Sequence, residues 1–152
     1  MDYLGYTISR EGVVADPTKL QAIEDWPEPL SVSALRGFLG LSSYYRRFVL
    51  NYAALASPLT DLLKKHRFTW SVEAQGAFQA LKTAMTTLQV LALPNFDITF
   101  DVTTDASGAA IGAVLSQETH PIAFFSQKLC PRMQRASAYD REMATITSAV
   151  KK

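Results

Sequence analysis

The sequence predicts an α+β fold: a mainly helical N-terminal part, opened by a β-hairpin, precedes a part built on antiparallel strands. Two periodicities support this prediction. Up to about Thr87 the apolar residues recur at helical spacing, whereas from residue 98 they alternate with polar residues as in a strand. With 152 residues, 48% of them hydrophobic, the chain can form one ordinary domain or two small lobes.

The N-terminal part is predicted to start with a hairpin over residues 3–15, because two extended runs flank the turn residues "REG". Capping residues and prolines then mark where helices begin, and the longest of these helices is expected to reach about Tyr52. The predicted helix starts are Asp16–Pro17, Ser31 or Ser33, Pro58, Ser71 and Ser137.

The C-terminal part is predicted to contain three strands and one helix. Strand candidates are residues 98–105, 110–117 and 121–127, and the helix from Ser137 runs to the end of the sequence. Residues 88–97 are expected to join the two parts.

Charge is unevenly distributed along the chain. The net charge is +1, but residues 31–70 carry six basic and one acidic side chain, an excess that attracts a polyanion or belongs to a solvated helix face. Cys130 is the only cysteine, which excludes an internal disulfide and favours a reducing compartment. Because the sequence shows neither a secretory leader nor a long apolar run, we expect a soluble, intracellular protein without membrane contact.

The helix predicted after Ser31 has two different sides. Its broad apolar side is expected to pack, and it consists of Leu35, Phe38, Leu41, Tyr44, Tyr45, Phe48 and Val49. The opposite side carries Arg36, Gly40, Ser43 and Arg47, so it is basic at both ends and small in the middle. This pattern leaves open a nucleic-acid contact, with arginines on phosphates, or helix packing through the glycines with solvated arginines.

Two carboxylates are candidates for a metal site. Asp105 lies on the polar face of the first strand, at its end, where a turn-capping role is the alternative. Glu142 falls within the apolar arc of the last helix, and a buried carboxylate there would need a partner or a metal ion, unless it reaches out at the edge of the arc. Carboxylate oxygens are ligands that Mg²⁺ prefers.

Several motifs taken together closely resemble the Pol polyprotein of gypsy-type LTR retrotransposons, in order and over almost the whole chain. The segment "CPRMQRASAYDREM" is similar to plant members of that family. The other matching motifs are "YLGYTISREGV", "LRGFLGLSSYYRRFVLNYAALASPLTDLLKK", "AFQALK", "VLALPNF", "TDASGAAIGAVLSQ", "HPIAFFSQKL" and "REMATI".

The resemblance implies three regions. Residues 1–15 resemble the hairpin at the end of the reverse transcriptase palm that grips the primer, and residues 16–87 resemble the thumb and its link. Residues 88–152 resemble the N-terminal half of an RNase H domain, with three antiparallel strands and one helix. In that comparison Asp105 and Glu142 match two of the metal-binding catalytic carboxylates.

The resemblance also implies a function. It favours contact of Arg36, Gly40, Ser43 and Arg47 with nucleic acid, above all an RNA–DNA hybrid. Mg²⁺ is the cofactor expected from the family, bound weakly or not at all, because the catalytic set in this sequence is incomplete and no polymerase or nuclease activity is expected from it alone. The alternatives are a domesticated, inactive module that contacts a protein partner or itself through the incomplete sheet, and a product with no selected role.

Overall fold

The computed structural model describes residues 1–64 and 68–151, and so leaves out Lys65 and Arg67, two of the basic residues counted above. Its elements form two sheets and a set of helices, which confirms the predicted α+β class. The strands are β1 (Asp2–Tyr3), β2 (Tyr6–Ser9), β3 (Gly12–Ala15), β4 (Asp101–Ala106), β5 (Ala110–Gln117) and β6 (His120–Lys128). The helices are α1 (Pro17–Glu24), α2 (Val32–Tyr44), α3 (Tyr52–Leu62), α4 (Val72–Thr86), α5 (Pro131–Gln134) and α6 (Ala138–Val150).

The N-terminal sheet has three strands, in the order β1-β2-β3, rather than the predicted two-stranded hairpin. The additional strand forms because Leu4 and Gly5 make a two-residue turn, with φ of 47° and 81°, that folds β1 back onto β2. Positive φ at both positions is the geometry of tight hairpin turns.

The predicted helix caps are present at four positions. Side-chain oxygens of Asp16, Ser31, Ser71 and Ser137 accept hydrogen bonds from backbone amides in the first turns of α1, α2, α4 and α6. Such caps satisfy amides that have no partner inside the helix.

Two helix predictions are wrong. The helix expected to reach Tyr52 ends at Tyr44, and a 3₁₀ turn over Arg46–Phe48 and a left-handed Asn51, with φ of 57°, separate α2 from α3. The break allows Phe48 and Val49 to enter the core. Pro58 does not open a helix but lies inside α3, where it removes one backbone hydrogen bond.

The core lies among the helices and against the inner faces of both sheets. Phe38 of α2 and Phe78 of α4 meet with ring centroids 4.7 Å apart, and Phe124 of β6 packs against the same cluster. Among the buried members are Ile23, Leu35, Phe38, Tyr45, Leu59, Phe78, Leu81, Met85 and Leu91. Phe78, Leu81 and Met85 recur at helical spacing, and together they form the packing face of α4.

The C-terminal sheet is antiparallel in the order β4-β5-β6. On β4, Asp101, Thr103 and Asp105 are exposed, whereas Thr104 and Ala106 are half-buried. Since α6 packs against β4 and β5, this alternation shows that α6 covers the Thr104 face.

The helices contact the opposite face of this sheet. Ala53, at the start of α3, donates its amide to Ser126 Oγ at 2.9 Å, and the Arg46 guanidinium donates to the Ser126 carbonyl. A Cβ on Gly112 would lie 2.6 Å from Asn51 Oδ1. Glycine at position 112 therefore permits the close approach of the α2–α3 connection.

The connection between α4 and β4 ties the two sheets together. Val13 of β3 exchanges two backbone hydrogen bonds with Leu91, at 2.8 and 3.0 Å, and the Ala92 amide donates to the Pro121 carbonyl at 2.8 Å. Gly12, with φ of 139°, lies so close to Leu91 that a Cβ would be 2.2 Å from the Leu91 carbonyl oxygen. None of the helices in residues 1–64 and 68–151 combines the length and apolar character needed to cross a membrane.

Candidate nucleic-acid interface and carboxylate pair

The side of α2 opposite the core is open to solvent. Arg36 and Gly40 are exposed, and Ser43, which donates its hydroxyl to the Gly40 carbonyl at 3.1 Å, is half-buried. On the other side Leu35, Phe38, Tyr45, Phe48 and Val49 are buried as predicted, whereas Tyr44 is 46% exposed. The two-sided character expected from the sequence is therefore present.

Arg47 lies beyond the end of α2, so the four predicted residues do not share one continuous helix face. It belongs to the 3₁₀ turn and is exposed. Within the described part of the chain, neither Arg36 nor Arg47 has a hydrogen bond or salt bridge, unlike Arg46, which binds the Ser126 carbonyl and lies 5.3 Å from the Tyr52 ring centroid. Arg36 and Arg47 are thus the two arginines of this region available to an external anion.

The two glycines of α2 have different surroundings. A Cβ on Gly37 would lie 3.4 Å from the Trp26 ring, at ordinary van der Waals distance from another part of the protein. A Cβ on Gly40 would meet nothing within 4 Å. Since glycine in a helix interior costs up to about 1 kcal/mol relative to alanine, Gly40 carries a cost with no compensating contact in the described chain.

A tyrosine cluster at the end of α2, which the sequence analysis did not single out, holds the Leu4–Gly5 turn. Tyr44 donates its hydroxyl to the Leu4 carbonyl, and Tyr45 donates to the Gly5 carbonyl at 3.0 Å. The Tyr6 ring stacks on Tyr44, with centroids 5.3 Å apart. In the sequence, Leu-Gly between two short extended runs was the only local indication of this turn. The tyrosines that hold it lie 40 residues further along the chain.

Burial raises the pKa of Tyr45 to about 12, and the negative charge of Asp16 acts in the same direction. Burial also raises the pKa of Tyr6, while the positive charge of Arg47 lowers it, so Arg47 lies close to this cluster. Since the ordinary tyrosine pKa of about 10 already exceeds physiological pH, both hydroxyls carry their protons and remain donors there.

Asp105 lies one residue before the end of β4, as predicted. It is directly opposite Gly112 in the sheet, and Gly112 is opposite Ser126, so Asp105 shares the sheet face that the α2–α3 connection contacts. Asp105 is nevertheless exposed. The carboxylate is therefore accessible rather than a capping group buried in the turn.

Glu142 is exposed, so the expectation that its carboxylate faces the core is wrong. The side of α6 that packs on the sheet is formed by smaller or half-buried residues around Thr145, which is fully buried and donates its hydroxyl to the Arg141 carbonyl at 2.7 Å. That internal hydrogen bond lets a threonine serve as a packing residue. The larger apolar residues form an exposed stripe instead, which consists of Tyr139, Met143, Ile146 and Val150.

Asp105 and Glu142 lie at the same end of the C-terminal sheet, but Asp105 belongs to the sheet face opposite the one that α6 covers. The Arg141 guanidinium, next to Glu142, comes within 3.9 Å of the position a Gly108 Cβ would take, and Gly108 is three residues after Asp105. Neither carboxylate has a hydrogen-bond or salt-bridge partner in residues 1–64 and 68–151. No group of three or more potential metal ligands occurs in these same residues, so neither carboxylate belongs to a larger ligand cluster there.

Comparison with known families identifies the family of the chain. The family model described as an RNase H-like domain found in reverse transcriptase matches residues 70–152, more than half of the chain. The chain belongs to this family. The match to the reverse transcriptase RNase H-like family begins just before α4, in the helical part of the chain. It includes the whole C-terminal sheet and α6.

Relatives of this RNase H-like chain are retrovirus-related Pol polyproteins. Those of the transposons 297 and gypsy from Drosophila melanogaster are each 41% identical to it, over 99% and 100% of the chain. The chain spans 14% and 16% of their respective lengths. It also matches an uncharacterized mitochondrial protein of Arabidopsis thaliana, with 57% identity over 64% of the chain and 63% of that protein. The chain is thus a retrotransposon Pol segment, as the motifs predicted.

Solved structures share the fold of the reverse transcriptase segment. The foamy viral protease-reverse transcriptase in complex with RNA/DNA hybrid matches 99% of the chain with a TM-score of 0.91 and 19% identity, and the chain covers 21% of that protein. The same enzyme in complex with dsDNA matches with a TM-score of 0.91 and 20% identity, over 100% of the chain and 33% of that protein. At this level of identity the likeness establishes the fold.

Proposed function

We propose that this retrotransposon-derived reverse transcriptase/RNase H segment binds nucleic acid, in particular an RNA–DNA hybrid, through the open face of α2. The observation that carries the proposal is Gly40, an exposed helical glycine with nothing within 4 Å of its missing Cβ, between the unpartnered Arg36 and Arg47. In this proposal residues 1–15 act as a primer-grip-like hairpin, residues 16–87 as a thumb-like region, and residues 88–152 as the first half of an RNase H-like domain.

The chemistry of the α2 face suits a phosphodiester backbone. Arginine guanidinium groups bind phosphate oxygens through charge-assisted hydrogen bonds, and Arg36 and Arg47 have no competing partner in the described chain. The small surface at Gly40 and Ser43 allows a strand to approach the helix backbone. The foamy viral protease-reverse transcriptase, which shares this fold, has a solved structure in complex with RNA/DNA hybrid, and this supports the choice of ligand.

Substitution of Gly40 by glutamine tests this interface without disturbing the core. Because nothing lies within 4 Å of the missing Cβ, the variant is expected to fold and to be stabilised by up to about 1 kcal/mol. The added side chain would occupy the space that a nucleic-acid strand needs, so we expect the affinity for a short RNA–DNA hybrid to fall by about tenfold or more. Fluorescence anisotropy measures the affinity, and thermal unfolding measures the stability.

Gly76 provides a matched control, since it is an exposed glycine inside α4 whose missing Cβ also meets nothing within 4 Å. Gly76→Gln should increase stability to a similar extent and leave hybrid affinity unchanged. Equal affinities of the two variants and the wild-type chain would contradict a contact at Gly40.

Asp105 and Glu142 are the second part of the proposal, as ligands for Mg²⁺ inherited from the catalytic set of the family. Their exposed, unpartnered carboxylates at one end of the sheet are the donor type that Mg²⁺ prefers. When bound, the ion would activate water and stabilise charge on a scissile phosphate. Two carboxylates are fewer than a two-metal phosphoryl-transfer site uses, so we propose weak metal binding and no hydrolysis by a polypeptide of residues 1–152.

Titration with Mg²⁺, followed by NMR, tests the carboxylate pair. Weak, saturable shifts are expected at Asp105 and Glu142 and should disappear in the Asp105→Asn, Glu142→Gln variant, because amides bind Mg²⁺ poorly. The control is Asp101→Asn, an exposed carboxylate at the other end of β4, which should retain them. Shifts that survive in the double variant would refute the assignment, and Mg²⁺-dependent cleavage of the hybrid would refute the proposed inactivity.

The comparisons favour this function over an inactive protein-interaction module, because the retrotransposon relatives described above are Pol polyproteins. Contact with a protein partner, or self-association, through the incomplete sheet stays a prediction.

A further inference from the structure

The turn between β1 and β2 has a conformation that its residues do not favour on their own. Leu4 and Gly5 both have positive φ, and such two-residue turns strongly prefer asparagine followed by glycine. Glycine suits the second position, but leucine is a poor residue for the first. Tyr3 and Leu4 at this turn are also 59% and 68% exposed. An exposed, disfavoured turn needs support from elsewhere in the fold if it is to keep one geometry.

The support comes from consecutive tyrosines at the end of α2. The Tyr44 hydroxyl donates to the Leu4 carbonyl, and the Tyr45 hydroxyl, from a side chain that is 1% exposed, donates to the Gly5 carbonyl at 3.0 Å. The Gly5 carbonyl also accepts the Asp16 amide at 3.0 Å. Each carbonyl of the turn therefore receives a tyrosine hydroxyl, and a Cβ on Gly5 would already be 3.0 Å from the Tyr45 oxygen.

The same tyrosines connect the turn to the proposed interface. Tyr44 follows Ser43 directly and precedes Arg47 by three residues, so the clamped turn lies beside the basic end of the α2 face. Tyr6, at the start of β2, closes the arrangement by stacking on Tyr44 and donating its hydroxyl to the Tyr44 carbonyl at 3.2 Å. Since the positive charge of Arg47 also lowers the pKa of Tyr6, the turn and its tyrosines lie near the Arg47 end of the open face.

We propose that Tyr44 and Tyr45 are positioning residues that hold the Leu4–Gly5 turn in register with the α2 face, so that the turn and the face bind one nucleic-acid duplex together. This inference rests on the proposed function and deepens it, because it names the side chains that position the primer-grip-like hairpin of residues 1–15. The tyrosine hydroxyls act through the turn, because their hydrogens are directed to its carbonyls rather than to the ligand.

A rescue experiment separates positioning from general stability. Tyr44→Phe and Tyr45→Phe together remove both hydroxyls and keep the rings, while Leu4→Asn supplies a residue that favours positive φ without any clamp. In the wild-type background the two Tyr→Phe substitutions are expected to raise the Kd for a short labelled RNA–DNA hybrid about tenfold. In the Leu4→Asn background the same two substitutions should raise the Kd less than about twofold. The control Tyr139→Phe, on the exposed stripe of α6, should leave the Kd unchanged.

The comparison of backgrounds decides the inference. The inference would be overturned if the two Tyr→Phe substitutions left the Kd unchanged in the wild-type background. It would also be overturned if they raised the Kd by the same factor in both backgrounds. The Asp16 amide donates to the Gly5 carbonyl, so its hydrogen exchange reports the stability of the turn in the absence of nucleic acid. This exchange should be faster in the variant with the two Tyr→Phe substitutions, and not when Leu4→Asn is also present. If charge reversal of Arg36 and Arg47 weakens binding but the two Tyr→Phe substitutions do not, the inference fails and the proposed function stands. If the wild-type chain does not bind the hybrid, both fail.

Discussion

Replacement of Gly12 by alanine is expected to lower the free energy of unfolding by about 3 kcal/mol or more. Two effects combine at this position. The φ of 139° lies in a region that residues with a Cβ rarely adopt, and the new Cβ would be 2.2 Å from the Leu91 carbonyl oxygen. To relieve the clash, β3 must separate from Leu91, which breaks the hydrogen bonds that Val13 exchanges with it. Urea unfolding followed by circular dichroism measures the change.

Gly76→Ala is the control for this substitution, because it adds the same methyl group in α4, where nothing lies within 4 Å. It should stabilise the chain by up to about 1 kcal/mol. If Gly12→Ala unfolds at the same urea concentration as the wild-type chain, the close contact between β3 and Leu91 does not exist in solution.

Reversal of charge at Arg36 and Arg47 should have the largest effect on function. Changing both residues to glutamate is expected to weaken hybrid binding by about 100-fold or more at low salt, because two phosphate contacts are lost and two repulsive charges are placed against the backbone. Both side chains are exposed and without partners in the described chain, so the fold should be unaffected. Fluorescence anisotropy with an RNA–DNA hybrid measures this effect.

Lys19 and Arg132 supply a matched control, since both are exposed and lie outside residues 1–15, α2 and its 3₁₀ turn. Changing them to glutamate alters the net charge by the same amount and should reduce affinity only a few-fold through long-range repulsion. Equal losses in the two double variants would mean that overall charge, and not the α2 face, determines binding.

Much of the local structure could be predicted because it depends on neighbouring residues. Asp16, Ser31, Ser71 and Ser137 each cap a helix by bonding to an amide two or three residues ahead. The strands of the C-terminal sheet follow from the alternation of polar and apolar residues, and this alternation placed Asp105 on an open face at a strand end.

The wrong predictions have a common cause, because each concerns a feature that depends on contacts between distant segments. The end of α2 at Tyr44 reflects burial of Phe48 and Val49 among other helices, which a periodic apolar pattern does not reveal. The exposure of Glu142 follows from Thr145, whose internal hydrogen bond lets it pack against the sheet while larger apolar residues remain in solvent.

The candidate interface was predicted in part for the same reason. Arg36 and Gly40 share a helix face, so their exposure could be read from spacing alone. Hydrogen bonds from Tyr44 and Tyr45 to backbone carbonyls 40 residues away leave no trace in the side-chain pattern. Family resemblance supplied the possible roles of Asp105 and Glu142, which geometry alone does not assign.

The salt dependence of hybrid binding tests the central claim most directly. For the wild-type chain the logarithm of the association constant should fall linearly with the logarithm of salt concentration, since arginine–phosphate contacts release counterions. In the Arg36→Ala, Arg47→Ala variant we predict a slope smaller in magnitude by about two. An identical slope in the two proteins, or no binding of the hybrid at low salt, would contradict the assignment of the α2 face as the nucleic-acid interface.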